Sequence, residues 1–135
     1  MIHEEICTYE VCKLAKDKGF PQHIGDDAYI EENEYDDEYE VGCCYPIQFI
    51  PDYLPTITAP TQSLLQRWLR EEKDVHISII ADREEDDEFI WYSNEVLKDT
   101  GWSVCSWWER PMTVRYSSYE QALEQALKFA LGNLI

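Results

Sequence analysis

The stretch Ala59-Pro60-Thr61-Gln62-Ser63-Leu64-Leu65-Gln66-Arg67-Trp68-Leu69-Arg70-Glu71-Glu72-Lys73 runs straight into Asp74-Val75-His76-Ile77-Ser78-Ile79. The spacing of apolar residues changes there from that of a helix, about 3.6, to that of a strand, about 2. In the first part Leu64, Leu65, Trp68 and Leu69 lie on one side of a helix, with Gln66, Arg67 and Arg70 mostly on the other. Thr58 or Thr61 begins this helix, and Pro60 suits its first turn. Beyond Lys73, Val75, Ile77 and Ile79 alternate with His76 and Ser78, which is the pattern of a half-buried strand. A packing helix that passes directly into a strand makes the fold a mixed one.

Downstream, Phe89-Ile90-Trp91-Tyr92 is rich in strand formers, and Arg83–Glu88 makes a hairpin loop before it. Asp99-Thr100-Gly101 reads as a turn and Val104–Trp108 as a further strand, which Met112, Val114 and Tyr116 continue past Pro111 with a break. Ser117 with Glu120, or Ser118 with Gln121, matches a capping box. Tyr119, Leu123, Ala126, Leu127, Ala130 and Leu134 then recur at helical spacing.

Upstream, Thr8 caps a helix from about Tyr9 to Lys18 whose inner stripe is Val11, Leu14 and Ala15. Gly19 ends it in a left-handed turn, and Phe20-Pro21 prevents its continuation. Lys13, Lys16 and Lys18 sit near the negative end of its dipole. A strand at 39–45 places Tyr39, Val41, Cys43 and Tyr45 on the core face and Cys44 on the other. Pro46, Pro51, Pro55 and Pro60 punctuate an extended connection without helical pattern.

The predicted order is α-β-α-β-β-β-α. With 135 residues and no internal repeat, the expectation is a single α+β domain spanning 1–135, its sheet mainly antiparallel and its helices packed on one face. From residue 59 onward the order matches that of double-stranded RNA-binding domains. That likeness is of fold only, because such domains need a basic surface that this chain lacks.

Charge narrows the function. The chain holds 28 acidic and 11 basic side chains, a formal charge of −17. Affinity for phosphate backbones and anionic membranes comes from Lys and Arg, so direct nucleic-acid binding and membrane binding are both disfavoured. Apolar residues at 44%, with 13% aromatic, supply enough surface for a folded core. The acid is concentrated: residues 26–40 carry nine carboxylates and no base, and residues 82–88 carry six and only Arg83. The remaining 113 residues hold 13 acids and 10 bases, so two segments make an ordinary scaffold acidic. Dense like charge resists burial, and both segments are expected to be exposed.

Patterns that carry chemistry are scarce. There is no glycine-rich phosphate loop, no G-x-S-x-G and no H-E-x-x-H. The five cysteines have no zinc or framework spacing, and neither acidic run fits an EF-hand. No catalytic residue, metal ligand or cofactor is assigned. The opening Met-Ile-His-Glu-Glu has no signal-peptide pattern, and no apolar run reaches the roughly 18 residues of a bilayer span, so a cytoplasmic setting is expected.

The least ordinary feature sets tyrosines among carboxylates. Asp26, Asp27, Tyr29, Glu31, Glu32, Glu34, Tyr35, Asp36, Asp37 and Glu38 form a candidate partner surface. Carboxylates can stand in for phosphates, and tyrosines supply rigid contact area. Trp107 and Trp108 join the candidates: adjacent in a strand, they point to opposite faces, so one is buried and the other available to a partner or a homodimer seam. Trp68 and Trp91 are expected in the core.

Three helical segments carry a resemblance. Ala59-Pro60-Thr61-Gln62-Ser63-Leu64-Leu65-Gln66-Arg67-Trp68-Leu69-Arg70-Glu71 with His76-Ile77, Thr8-Tyr9-Glu10-Val11 with Lys18-Gly19-Phe20, and Ser118-Tyr119-Glu120-Gln121-Ala122-Leu123 with Leu127 resemble a family of small uncharacterised proteins encoded in phages and mobile elements of gut anaerobic bacteria. Glu72, Lys73 and Asp74 depart from it, since family members carry an apolar residue and a His there. The resemblance implies a phage or prophage accessory role in a bacterial host and assigns no activity or site. The expectation is therefore a non-enzymatic protein that contacts another protein, with a basic partner as the complement to its charge. The alternative is an acidic nucleic-acid mimic that blocks a host DNA-binding protein or nuclease.

Overall fold

A computed structural model of the chain describes residues 4–34, 38–83, 90–98 and 116–135. The fold is mixed α+β, with three helices and two small antiparallel sheets among the described residues. By its contacts the chain divides into two compact units, Met1–Thr61 and Gln62–Ile135.

The N-terminal unit opens with α1, Tyr9–Asp17. Thr8 caps it by accepting a bond from the Val11 amide, and Gly19, at φ +96, releases the chain so that buried Phe20 folds back under it. Three short strands follow: β1, Asp27–Ile30; β2, Cys44–Pro46; and β3, Thr56–Thr58. The sheet order is β2-β1-β3, with Ala28 opposite both Tyr45 and Thr58.

The period-2 alternation gives β1 two buried faces. Ala28 and Ile30 pack with Ile50 and Leu54, flanked by Tyr39 and Tyr45. Tyr29 points the other way, stacks edge-on against Tyr9 of α1 at 5.6 Å and donates its hydroxyl to the Cys7 carbonyl at 2.6 Å. A helix covers one side of this sheet and a proline-rich segment the other. Burial of a side chain such as Ile30 or Ile57 contributes about 1.5–3 kcal/mol.

Several expectations for this unit are corrected. The strand placed at 39–45 is only Cys44–Pro46, because Gly42 takes φ +82 and turns the chain. Cys43 donates its amide back to the Glu40 carbonyl, and Val41 is 52% exposed where a core position was expected. The acidic segment is not wholly an exposed excursion, since its Asp27–Ile30 portion is the central strand. The connection expected to be extended and without helical pattern contains a 3-10 turn, Ile47–Phe49, before the extended β3. Thr58 belongs to β3 and does not begin a helix.

The C-terminal unit is more regular. α2, Gln62–Glu72, leads through Asp74, at φ 54, into β4, Val75–Asp82. Aspartate is among the few residues other than glycine that accept this left-handed geometry readily. β4 pairs antiparallel with β5, Trp91–Lys98, over eight residue pairs from Val75↔Lys98 to Asp82↔Trp91. α3, Tyr119–Asn133, is capped by Ser118, whose hydroxyl accepts from the Gln121 amide at 3.1 Å.

Both helices cover one face of the hairpin. Val75, Ile77 and Val96 are buried there, and Asn94 donates its side-chain amide to the Ala122 carbonyl of α3. His76, Ser78 and Ile80 lie exposed on the opposite face. Leu65 and Leu69 of α2 and the stripe Ala122, Leu123, Ala126, Leu127, Ala130 and Leu131 of α3 are fully or almost fully buried. Buried Gln62 ties the helices together, donating at 2.8 Å to both the Glu120 carbonyl and a Glu124 carboxylate oxygen. Two stripe assignments are corrected: Leu64 is 38% exposed and Tyr119 44% exposed, the latter with its ring edge-on to Tyr92. Trp68 is half-buried, with the Lys73 ammonium 5.4 Å from its ring centre.

The turn at 99–101, the strand at 104–108, its continuation through Val114, and most of the acidic loop at 84–88 lie outside the described residues. Tyr116, the last residue of that continuation, exchanges both backbone hydrogen bonds with Tyr92 of β5.

Candidate partner-binding surface

The proposed surface residues separate once placed in the fold. Asp26, Glu32, Glu34 and Glu38 are exposed. Asp27 opens β1 and is half-buried. Tyr29 is held by its bond to Cys7, and Glu31 forms a 2.7 Å ion pair with Lys16 of α1. These last two side chains tie β1 and the residue after it to Cys7 and to α1. Tyr35, Asp36, Asp37, Trp107 and Trp108 lie outside the described residues.

Two further exposed residues of the same unit join the candidates. Phe49 is 63% exposed and Tyr53 67% exposed, the two most exposed large apolar side chains among the described residues. Both sit on the segment bracketed by Pro46, Pro51 and Pro55. The proline spacing marks this segment as extended and stiff, but its side-chain directions follow from the 3-10 turn. There the Ile50 amide bonds back to Ile47, and in a separate turn the Leu54 amide bonds back to Pro51. Ile50 and Leu54 consequently turn inward while Phe49 and Tyr53 remain outside. The Tyr39 hydroxyl fixes the segment by donating to the Phe49 carbonyl at 2.7 Å.

Between this segment and the loop before β1 lies a cleft of about 220 Å³, lined among others by His23, Ala28, Ile50, Asp52, Leu54 and Thr58. A shallower depression lined by Asp26, Asp27, Pro46, Ile47 and Gln48 adjoins it, and Gly25 and Ile47 contribute to both. The walls are tied to each other. The Ile47 amide donates to the Asp26 carbonyl, and the His23 amide to the Thr58 hydroxyl at 2.7 Å. The Thr58 amide in turn donates to the Gln22 side chain at 3.0 Å. His23 (φ 65) and Gly25 (φ 80) both take left-handed backbone to make the bend.

The electrostatics have one sign. Met1–Thr61 contains 14 acids and 3 bases, and those bases are Lys13, Lys16 and Lys18, on α1 or at its end. Residues 19–61 hold ten carboxylates and no Lys or Arg over 43 positions. Partial burial, and after it the Asp27 charge, pushes the Cys44 thiol up from 9.0 to about 11.

No family model, curated protein or solved structure matches the chain. Among the described residues no group of His, Cys, Asp or Glu could hold a metal ion, and no helix is long and apolar enough to cross a membrane.

Proposed function

We infer that the protein is a phage- or mobile-element-type accessory protein that works by binding another protein through this acidic, aromatic surface of the N-terminal unit. The observation that carries the reading is the pairing of Phe49 and Tyr53, both well exposed, with a 43-residue run that contains no Lys or Arg. Exposed aromatics on a braced segment supply contact area at little entropic cost, and a rim of one sign selects a partner of the other. The accessory role rests on the resemblance of the three helical segments.

A nucleic-acid mimic is the second reading, and the cation-free run is what favours it. The two differ in what holds the partner. An aromatic anchor survives salt, whereas mimicry is screened beyond a Debye length of about 8–10 Å at physiological ionic strength.

The test is capture of partners from bacterial lysate at low and high salt. The baits are the wild-type chain, a Phe49→Ser/Tyr53→Ser double variant, and a variant with Asp26, Glu32, Glu34 and Glu38 changed to amides. A specific partner kept at high salt and lost with the aromatic double variant is the expected result. A basic DNA-handling protein recovered at low salt only, and lost with the amide variant, would favour mimicry. Binding indifferent to both variants would refute both readings.

A further inference from the structure

We propose that the cleft beside the Pro46–Pro55 segment is a seat for one long cationic side chain, an arginine of the partner protein's docking segment. The proposal rests on the protein-binding reading above and adds what the surface recognises.

Size comes first. At about 220 Å³ the cleft itself falls below the roughly 300–1,000 Å³ of pockets that enclose whole small-molecule ligands, and the more open depression beside it adds about 540 Å³. The cleft suits a single side chain. The lining then selects which one. Ala28, Ile50 and Leu54 present a buried apolar wall, as an aliphatic stem requires. Asp52 stands in the same lining, and Asp26 and Asp27 line the adjoining depression, so carboxylates are available to a cationic head. An arginine has this two-part chemistry, an apolar stem that packs and a planar head that carboxylates and hydroxyls can grip.

Charge complementarity excludes the opposite ligand. No Lys or Arg occurs between residues 19 and 61, so an anion in this cleft would meet carboxylates with His23 as the one basic side chain in the lining. The seat is also preformed. The Ile47–Asp26 and His23–Thr58 bonds hold the two walls together, which limits the ordering cost of binding.

The experiment is an amide NMR titration of the full-length chain with a defined probe, the blocked pentapeptide Ala-Ala-Arg-Ala-Ala. Two other probes accompany it: the same peptide with citrulline for arginine, and methylguanidinium, which is the head without the stem. Saturable shifts at Gly25, Ala28, Ile47, Ile50 and Thr58 are expected for the arginine peptide, with citrulline and methylguanidinium each binding about tenfold more weakly. Asp52→Asn should weaken the arginine peptide by about five- to tenfold. Gln48→Lys, which sets a cation in the adjoining depression beside Asp26 and Asp27, should weaken it as well.

Equal binding by citrulline or by methylguanidinium overturns the proposal. So do shifts confined to the amides of residues 31–40, or the absence of saturable shifts. If the peptide fails to seat while partner capture still depends on Phe49 and Tyr53, the arginine seat is wrong and the surface reading stands. If the peptide seats as described while capture ignores those aromatics, the seat stands and the aromatic anchor is wrong.

Discussion

The two units of this chain reach folded structure by different means. The C-terminal unit pairs two eight-residue strands and covers one face with helices whose buried residues recur at regular spacing. The N-terminal unit has strands of three or four residues and closes both sheet faces, one with α1 and the other with a segment that contains no α-helix. Periodic apolar packing carries the first. Turn chemistry and specific side-chain bonds carry much of the second: Gly42 in a left-handed turn, Tyr29 on Cys7, Tyr39 on Phe49, and Thr58 between His23 and Gln22. A regular core leaves little surface for variation, whereas loops held by discrete bonds leave a cleft and protruding aromatics.

One substitution made in both units puts this contrast at risk, and it has the largest expected effect. Leu127 is fully buried on α3, whereas Leu54 is 7% exposed and lines the cleft. Leu→Ala in a core costs about 2–5 kcal/mol, and the cost rises with the cavity that remains. Leu127→Ala should fall in the upper part of that range. Leu54→Ala should fall near the bottom, because the space it leaves opens onto a solvent-accessible cleft. Urea unfolding followed by circular dichroism measures both. Equal losses would mean that the N-terminal cluster is packed as tightly as the helical one, and the contrast would fail.

The same contrast explains what could be read in the sequence. Helix ends and β4 were legible because each depends on nearby residues, whereas β5 runs on to Lys98, well past the Phe89–Tyr92 run that composition marks. Thr8, Gly19, Ser118 with Gln121, and the Val75-Ile77 alternation all appear in the structure as their local chemistry dictates. β1 was hidden, because Asp26, Asp27, Glu31 and Glu32 surround Ala28-Tyr29-Ile30 and composition overrode a pattern only three residues long. The strand at 39–45 failed for a converse reason: its alternation was clear, but Gly42 supplied a turn that alternation cannot register. Of the candidate surface, the exposed carboxylates were legible as unburiable charge. Phe49, Tyr53 and the cleft were not, because they depend on β1 and β3 being brought together across 25 residues of intervening chain.

The helix caps sharpen the comparison at a smaller scale. Ser118 accepts from the Gln121 amide at 3.1 Å, whereas Thr8 accepts from the Val11 amide at 3.4 Å, near the limit of a useful bond. Ser118→Ala should cost about 1 kcal/mol and Thr8→Ala about 0.5 kcal/mol, within the range known for such caps. Thermal unfolding of the two variants gives the order. A larger loss from Thr8 would show that the start of α1 matters to the N-terminal unit beyond its capping bond.

The smallest effect at neutral pH belongs to Cys44, and it reports on the field that distinguishes the N-terminal unit. Although the residue is exposed, its thiol is raised to about 11, first by partial burial and then by Asp27. Alkylation requires the thiolate, so peptide-resolved mass spectrometry should find Cys44 slow to react with iodoacetamide at pH 8 and quickening only as pH approaches 11. Asp27→Asn should shift that profile to lower pH without removing the shift, because burial is the larger cause. The sign for stability follows from the direction. Between 9.0 and about 11 the unfolded thiol gives up its proton while the folded one keeps it, so the contribution is intact below 9 and is lost as pH rises through that window. Ready alkylation of Cys44 at pH 8 would mean that the partial burial raising its thiol is absent, and if Asp27→Asn leaves its profile unchanged, the negative field assigned to this sheet does not reach β2. The charge would then be confined to the unit's rim, and a cation seated in the cleft would gain little from Asp27.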